Sequence, residues 1–261
     1  MKAIRVFFVG GLISYRALFN WISPGTYLLT MLGGPLFQLL FFTYLGRYSH
    51  LRSDSFFVVG NAVQASAMGG VYGTTMTIAN ERQLQTLWSL MATPSNRLAL
   101  FLGRALPNVA NGLVVSGFCF LAGRILVGFD PPAASLASIA LVVSVAALST
   151  AALGLVLGAV GLRARDVFFA SNLVYFLLLL VCGVNVPLSE LPGWLRTIAR
   201  GVPLTHAIEA ARRLADGASL GAASGLLWRE LAIGGCYAAF AYLLFRIFEL
   251  EARKRAALER M

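Results

Sequence analysis

The sequence predicts an all-α integral membrane protein with six transmembrane helices, and three observations carry that prediction. The 261 residues are 58% hydrophobic and only 12% charged, with a mean hydropathy of +0.77, whereas soluble domains carry about 25% charged residues. Several apolar runs reach the roughly 20 residues a helix needs to cross a bilayer, which favours helices over barrel strands. Prolines, glycines and short charged clusters separate those runs, as turns at a membrane surface do. The net charge of +10 does not imply nucleic acid. In a membrane protein, Lys and Arg more economically mark cytoplasmic connections.

Residues 1–23 begin like a signal peptide, with Lys2 and Arg5 ahead of an apolar stretch, but Arg16 interrupts it and no small-residue cleavage site follows. Ile4, Phe7, Phe8, Tyr15, Leu18, Phe19 and Ile22 share one helical face and Lys2, Arg5, Arg16 and Asn20 another, which predicts an interfacial amphipathic helix. Ser23-Pro24-Gly25 then turns the chain into the membrane.

The first span covers about residues 27–46, with a kink expected at Gly33-Gly34-Pro35. A short connection carries Arg47, His50, Arg52 and Asp54. The second span, about 56–79, is unusually polar: Asn61, Gln64, Met68, Tyr72 and Thr75 fall on one stripe, and Gly69-x-x-x-Gly73 permits close helix approach. The stripe has two readings, a substrate path or ordinary hydrogen bonding between helices, and Asn172 in the fifth span has the same two.

Residues 80–94 connect the second and third spans yet do not read as a free loop. Asn80 suits a helix cap, Glu81 suits a helix N-terminus, and Thr93-Pro94 supplies a stop. Leu84, Leu87, Trp88 and Met91 form one face, with Arg82, Gln85, Thr86 and Ser89 opposite. Such a helix must bury its apolar face against lipid headgroups or against another protein.

The third span covers about 98–122 and includes Pro107, Asn108 and Asn111; the fourth, about 135–162, contains Gly154-x-x-x-Gly158. Residues 163–166 make a tight turn into the fifth span, about 167–184, and the sixth covers about 231–248 before a basic tail. None of these six stretches contains Asp or Glu. The one large outer segment, 185–230, is too apolar for a free loop. Pro187, Pro192 and Pro203 punctuate it, and two short helices fit, one after Pro192 and one from Pro203 to near Gly217. Trp194 suits an interfacial anchor. The three cysteines, Cys119, Cys182 and Cys236, lie in apolar runs without metal-ligand spacing and are expected to be buried small hydrophobes.

With six spans both termini share one side. Placing them in the cytoplasm puts 13 of the 21 Lys and Arg inside and 8 outside, a net charge of +8 against +2. The positive-inside rule therefore favours cytoplasmic termini and puts residues 80–94 in the cytoplasm.

The run Glu81-Arg82, Thr86-Leu87, Leu90, Thr93-Pro94 and Gly103-Arg104 resembles the E-R-x-x-G-T-L-E-x-L-x-x-T-P…G-K signature of ABC-2-type transporter permeases. Gln85 stands where the family often has Gly, and Trp88 where it often has Glu. Pro187-Leu188, Leu191-Pro192, Trp194-Leu195, Ile198, Pro203-Leu204-Thr205, Ile208 and Arg212 are similar to that family's outer hairpin. Both stretches come in order among six spans, so the resemblance covers nearly the whole chain and implies a single transmembrane domain over residues 1–261.

The resemblance implies a multi-pass permease of the plasma (inner) membrane with a cytoplasmic coupling helix docking on a separate ABC ATPase through Glu81, Arg82, Leu84, Thr86, Leu87, Trp88 and Met91. It also implies a second permease copy or paralogue, and a path lined by the second and fifth spans, where Asn61, Gln64, Tyr72, Thr75 and Asn172 stand. The chain has no Walker G-x-x-x-x-G-K-[ST] loop, so ATP and Mg are expected on the partner, with no cofactor, metal or catalytic residue here. An amphipathic drug, lipid or glycan is the implied cargo. The competing class is an ion-coupled secondary transporter, against which the acid-free spans argue. An intramembrane hydrolase would have only His206 as a base, beside no evident nucleophile.

Overall fold

A computed structural model describes residues 24–50, 52–83, 97–161 and 166–258, and among these the regular structure is entirely helical. Helix α1 (Gly33–Ser49) follows a helical turn at Pro24–Tyr27 and a π-helical turn at Leu28–Leu32. It ends at His50, whose left-handed φ of 52° returns its N–H to the carbonyls of Arg47 and Gly46. A bidentate ion pair from Arg47 to Asp54 ties that end to the next helix.

Helix α2 (Asp54–Ala67), a π-helical stretch (Met68–Gly73) and α3 (Thr74–Gln83) make one continuous rod. The sequence did not signal the π-helical stretch, which widens the rod where three glycines cluster. That is also where two other helices come closest. Gly69 lies against the Asn108 carbonyl and Gly112 of α4 (Arg97–Ala122), and Gly154 of α5 (Leu136–Gly161) lies against the Gly70 carbonyl. A methyl group at either glycine would collide with backbone. Gly73 and Gly158 meet the Asn108 and Ile78 side chains, so both G-x-x-x-G runs serve the close approach their spacing predicts.

Helix α5 is the centre of the molecule: 78% of its apolar window is buried, against 17% for the window in α9 (Leu220–Leu258). It packs against α9, the rod, α4 and α8 (Thr205–Ala215). The principal core joins Leu39, Val59, Val63, Val115, Val142 and Leu178 with Leu204, Ile208 and Leu214 of the hairpin. By length and composition, Ala105–Val127, Ala133–Gly161 and Leu220–Phe248 suffice to cross a membrane, and Val167–Val181 (α6) is a shorter apolar helix.

Four expectations are corrected. The last helix begins at Leu220, not Leu231, and runs unbroken to Leu258, through Gly221 and Gly225. Glu230 therefore lies within an apolar helix and is fully buried, so the premise that no span contains an acid does not hold. Helix α3 continues through Asn80 to Gln83, so Asn80 starts no new helix. Cys119 and Cys182 are buried, but Cys236 is exposed on α9, whose outer face packs against nothing among the described residues.

The hairpin helices match expectation: α7 (Gly193–Arg200) follows Pro192, and α8 ends before Gly217 at a left-handed φ of 90°. Proline supplies a fixed φ at a helix start and glycine a left-handed end, which is why both were legible. The interfacial helix at residues 1–23, the turn at 163–165 and most of the 80–94 connection lie outside the described residues.

Candidate functional site

Polar groups buried among apolar helices cost several kcal/mol unless they find partners. The rod of residues 54–83 buries Asn61, Gln64, Ser66, Thr74 and Thr75. Most of these side chains bond a different neighbour. Asn61 accepts from Gln38 of α1 at 2.9 Å and donates to the Phe57 carbonyl at 2.9 Å and to Asn185 at 2.8 Å. Gln64 donates to the Tyr175 carbonyl of α6 at 3.3 Å, and Thr75 to the Gly154 carbonyl of α5 at 3.1 Å. Asn108 of α4 donates to Thr77 at 3.0 Å. The rod is thus a hub whose polar side chains reach α1, α4, α5, α6 and the segment after α6.

Within that stripe, Tyr72 and Asn172 stand apart. The Tyr72 hydroxyl donates to the Asn172 side-chain oxygen, and Asn172 donates to the Phe168 carbonyl at 3.1 Å. Both residues are half-buried. The Tyr72 ring lies 5.7 Å from Tyr175 and 6.0 Å from Phe168. Next to this pair, α6 presents Phe168, Phe169, Leu173, Phe176 and Leu180 outward, all exposed. Asn61, Gln64 and Thr75 are therefore enclosed by this chain, whereas Tyr72 and Asn172 lie at the edge of an open apolar face.

The hairpin is organised by two charged residues. Arg212 on α8 donates to the carbonyls of Gly183 at 2.8 Å, Val184 at 2.7 Å and Phe56 at 3.0 Å, with its guanidinium 3.5 Å from the Phe56 ring centre. Burial pulls its pKa down to about 9, with Asp216 and Glu209 acting in the opposite direction, so it stays charged at neutral pH. The clamp pins α8 to the start of the rod and to the end of α6. It explains why Gly60, whose Cβ would meet the Arg212 guanidinium, has no side chain.

The second is Glu230. Leu204, at the N-cap position just before α8, offers no side-chain cap and adopts φ of 91°. From α9, the Glu230 carboxylate accepts from the Leu204 N–H at 2.6 Å, the Ala207 N–H at 3.3 Å and the Ser149 hydroxyl of α5 at 2.5 Å. It supplies from another helix the cap that Asp or Ser supplies locally. Sequence reasoning missed it, since a span drawn from residue 231 leaves Glu230 just outside. The signal that could have found it is the lack of any breaking proline between residues 218 and 230.

Pro187 precedes a short 3-10 turn (Leu188–Glu190), Pro192 precedes α7, and Pro203 is buried before Leu204. Trp194 is 68% exposed on α7. Glu81 and Arg82 lie in the last turn of α3. Leu84, Thr86, Leu87, Trp88 and Met91 lie outside the described residues.

Two comparisons bear on this arrangement. A family model described as ABC-2 type transporter matches residues 11–214. The chain is also 26% identical over 195 residues to a protein named as a probable multidrug ABC transporter permease, YbhR, from Escherichia coli K12, and equally to its counterpart from Escherichia coli O157:H7. That alignment covers 73% of this chain and 52% of each relative, so the chain spans about half the length of the curated relatives it matches.

Proposed function

Because this chain belongs to the ABC-2 type transporter family, a family of membrane-embedded permeases, we propose that it is the transmembrane subunit of an ATP-driven exporter. In this reading, six spans hold both termini in the cytoplasm, and residues 80–94 form the coupling helix that docks on a separate ATPase. A second permease copy or paralogue pairs with it. The cargo is an amphipathic drug, lipid or glycan, and the multidrug naming of the E. coli relatives supports the first of these. The observation that carries the reading is the family match over residues 11–214, which includes both the 80–94 connection and the hairpin through Arg212.

The step assigned to this chain is mechanical. ATP-driven closure of the partner moves the coupling helices. The rod of residues 54–83 is continuous with α3, so a push at Glu81 and Arg82 is carried along it to its polar bonds with α5 and α6. The Tyr72–Asn172 pair sits at the edge of the open α6 face and would line a path completed by the second permease. Hydrogen-bonded polar groups suit that place because they offer amphipathic cargo exchangeable partners.

Glu230 favours a second reading, ion-coupled transport, since a buried acid in a span is what such carriers use. Its three donors come from two backbone amides and a serine, and its carboxylate is fully buried. That is a capping arrangement, and it leaves ATP-driven export the better reading. Inside-out vesicles containing this chain and its ATPase should accumulate an amphipathic dye on addition of ATP, unaffected by a protonophore. Uptake driven by a proton gradient without ATP would replace export with the rival.

A further inference from the structure

Eight Lys and Arg fall on the outer side in the charge-based topology, against the general tendency of basic residues to stay inside. Three of them, none lining the cavity described next, pair with acids: Arg47 with Asp54 at 2.6 Å, Arg124 with Asp130 at 3.1 Å, and Arg52 with Glu190 at 4.0 Å. The other five, Arg196, Arg200, Arg212, Arg213 and Arg229, all line one cavity of about 620 Å³. They come from α7, α8 and α9, separated by up to 33 positions in the chain, so the fold and not local sequence brings them together.

Their internal partners do not balance the charge. Arg212 is spent on backbone carbonyls, and Arg196 likewise donates to the carbonyls of Ser189 at 2.8 Å and Leu191 at 3.1 Å. Arg213 pairs with Glu209, the one acid lining the cavity. Arg200 and Arg229 have no acid partner among the described residues. His206 also lines the cavity and is 7% exposed. Its Nε2 bonds the Arg200 carbonyl at 3.2 Å, and its Nδ1 is buried without a partner, as is Nε of Arg196. With one carboxylate among its lining residues and unsatisfied nitrogens beside it, the cavity keeps an excess of positive charge.

We propose that this cavity is an oxyanion site that takes a phosphate-type group. Guanidinium groups present forked donors that match phosphate oxygens. The volume exceeds what a bare phosphate needs, and Phe56, Leu188, Ile208 and Leu226 give the cavity apolar walls, so both a phospholipid headgroup and a free phosphate fit its chemistry. The site does not rest on export or on the nature of the cargo. Loss of transport with oxyanion binding intact would count against the transport reading alone.

The test uses the full-length chain in neutral detergent and in nanodiscs, comparing wild type, the double variant R200Q/R229Q and the control R47Q. The Arg200 and Arg229 side chains make no hydrogen bond or ion pair among the described residues, so the double variant should keep its folding. Inorganic phosphate, titrated at constant ionic strength against chloride, should bind saturably, and the double variant should weaken it about tenfold or more. Phosphatidylglycerol retained by wild type from mixed phosphatidylcholine nanodiscs, and lost from the double variant, identifies the lipid headgroup as the source even where free phosphate does not bind. Saturable binding of neither probe overturns the proposal. So does binding that R200Q/R229Q leaves unchanged, or that R47Q weakens equally.

Discussion

Replacing Glu230 with alanine is the sharpest test of how the hairpin is held. The substitution leaves the Leu204 and Ala207 amides and the Ser149 hydroxyl without their shared acceptor, in a position closed to water. Each orphaned buried donor costs about 1–3 kcal/mol. With Ser149 able to turn back to the Ala146 carbonyl, which it already reaches at 3.1 Å, two amides carry the loss, about 2–6 kcal/mol. For a chain of this length about 1 kcal/mol shifts Tm by roughly 2–4 °C, so a drop of about 10 °C is expected. Glu230→Gln keeps one oxygen for Leu204 and Ser149 and gives up only the longer bond to Ala207, so its drop should be a small fraction of that. Thermal unfolding in detergent, followed by exposure of the buried Cys182 to a thiol reagent, reads both variants. Equal stability of wild type and Glu230→Ala would refute the capping role, and a Glu230→Gln variant as damaged as Glu230→Ala would show that charge, not the cap, is what matters there.

Two further outcomes follow from the topology and the hairpin. A cysteine at Ser53, beside the exposed Arg47–Asp54 pair, should react with an impermeant reagent from outside, whereas one at Ser95 should not; reversed labelling would remove the coupling reading. If the exposed indole of Trp194 anchors α7 at the interface, Trp194→Asp should lower export while ATPase association stays intact; loss of assembly instead would make that surface an interface between subunits.

Legibility in the sequence followed how local each cause is. Gly69, Gly73, Gly154 and Gly158 announced close crossings because a missing side chain is written at the position where backbones meet. Pro192 and Gly217 announced the ends of the hairpin helices for similar reasons. Glu230 was opaque because the helix it caps begins 26 residues earlier, and no local pattern records a cap supplied across helices. The polar stripe was visible as a stripe, but its partners Gln38, Tyr175 and Gly154 belong to other helices. Only the packing distinguishes the enclosed Asn61, Gln64 and Thr75 from Tyr72 and Asn172 at the open edge. The arginine-lined cavity was scattered over three helices and had no sequence signature.

The central claim is that this permease works through a separate ATPase docked on residues 80–94, and co-purification tests it most directly. The spacing puts Leu87 and Trp88 on the predicted apolar face, with Thr86 opposite. Truncating a buried Leu costs about 2–5 kcal/mol, which weakens association about thirtyfold or more. The wild-type chain, isolated from native membranes in mild detergent, should bring down an ABC ATPase, the Leu87→Ala/Trp88→Ala variant should lose it with its helical body still folded, and Thr86→Ala should largely keep it. Full ATPase recovery with the double variant, or no ATPase with wild type, would contradict the account.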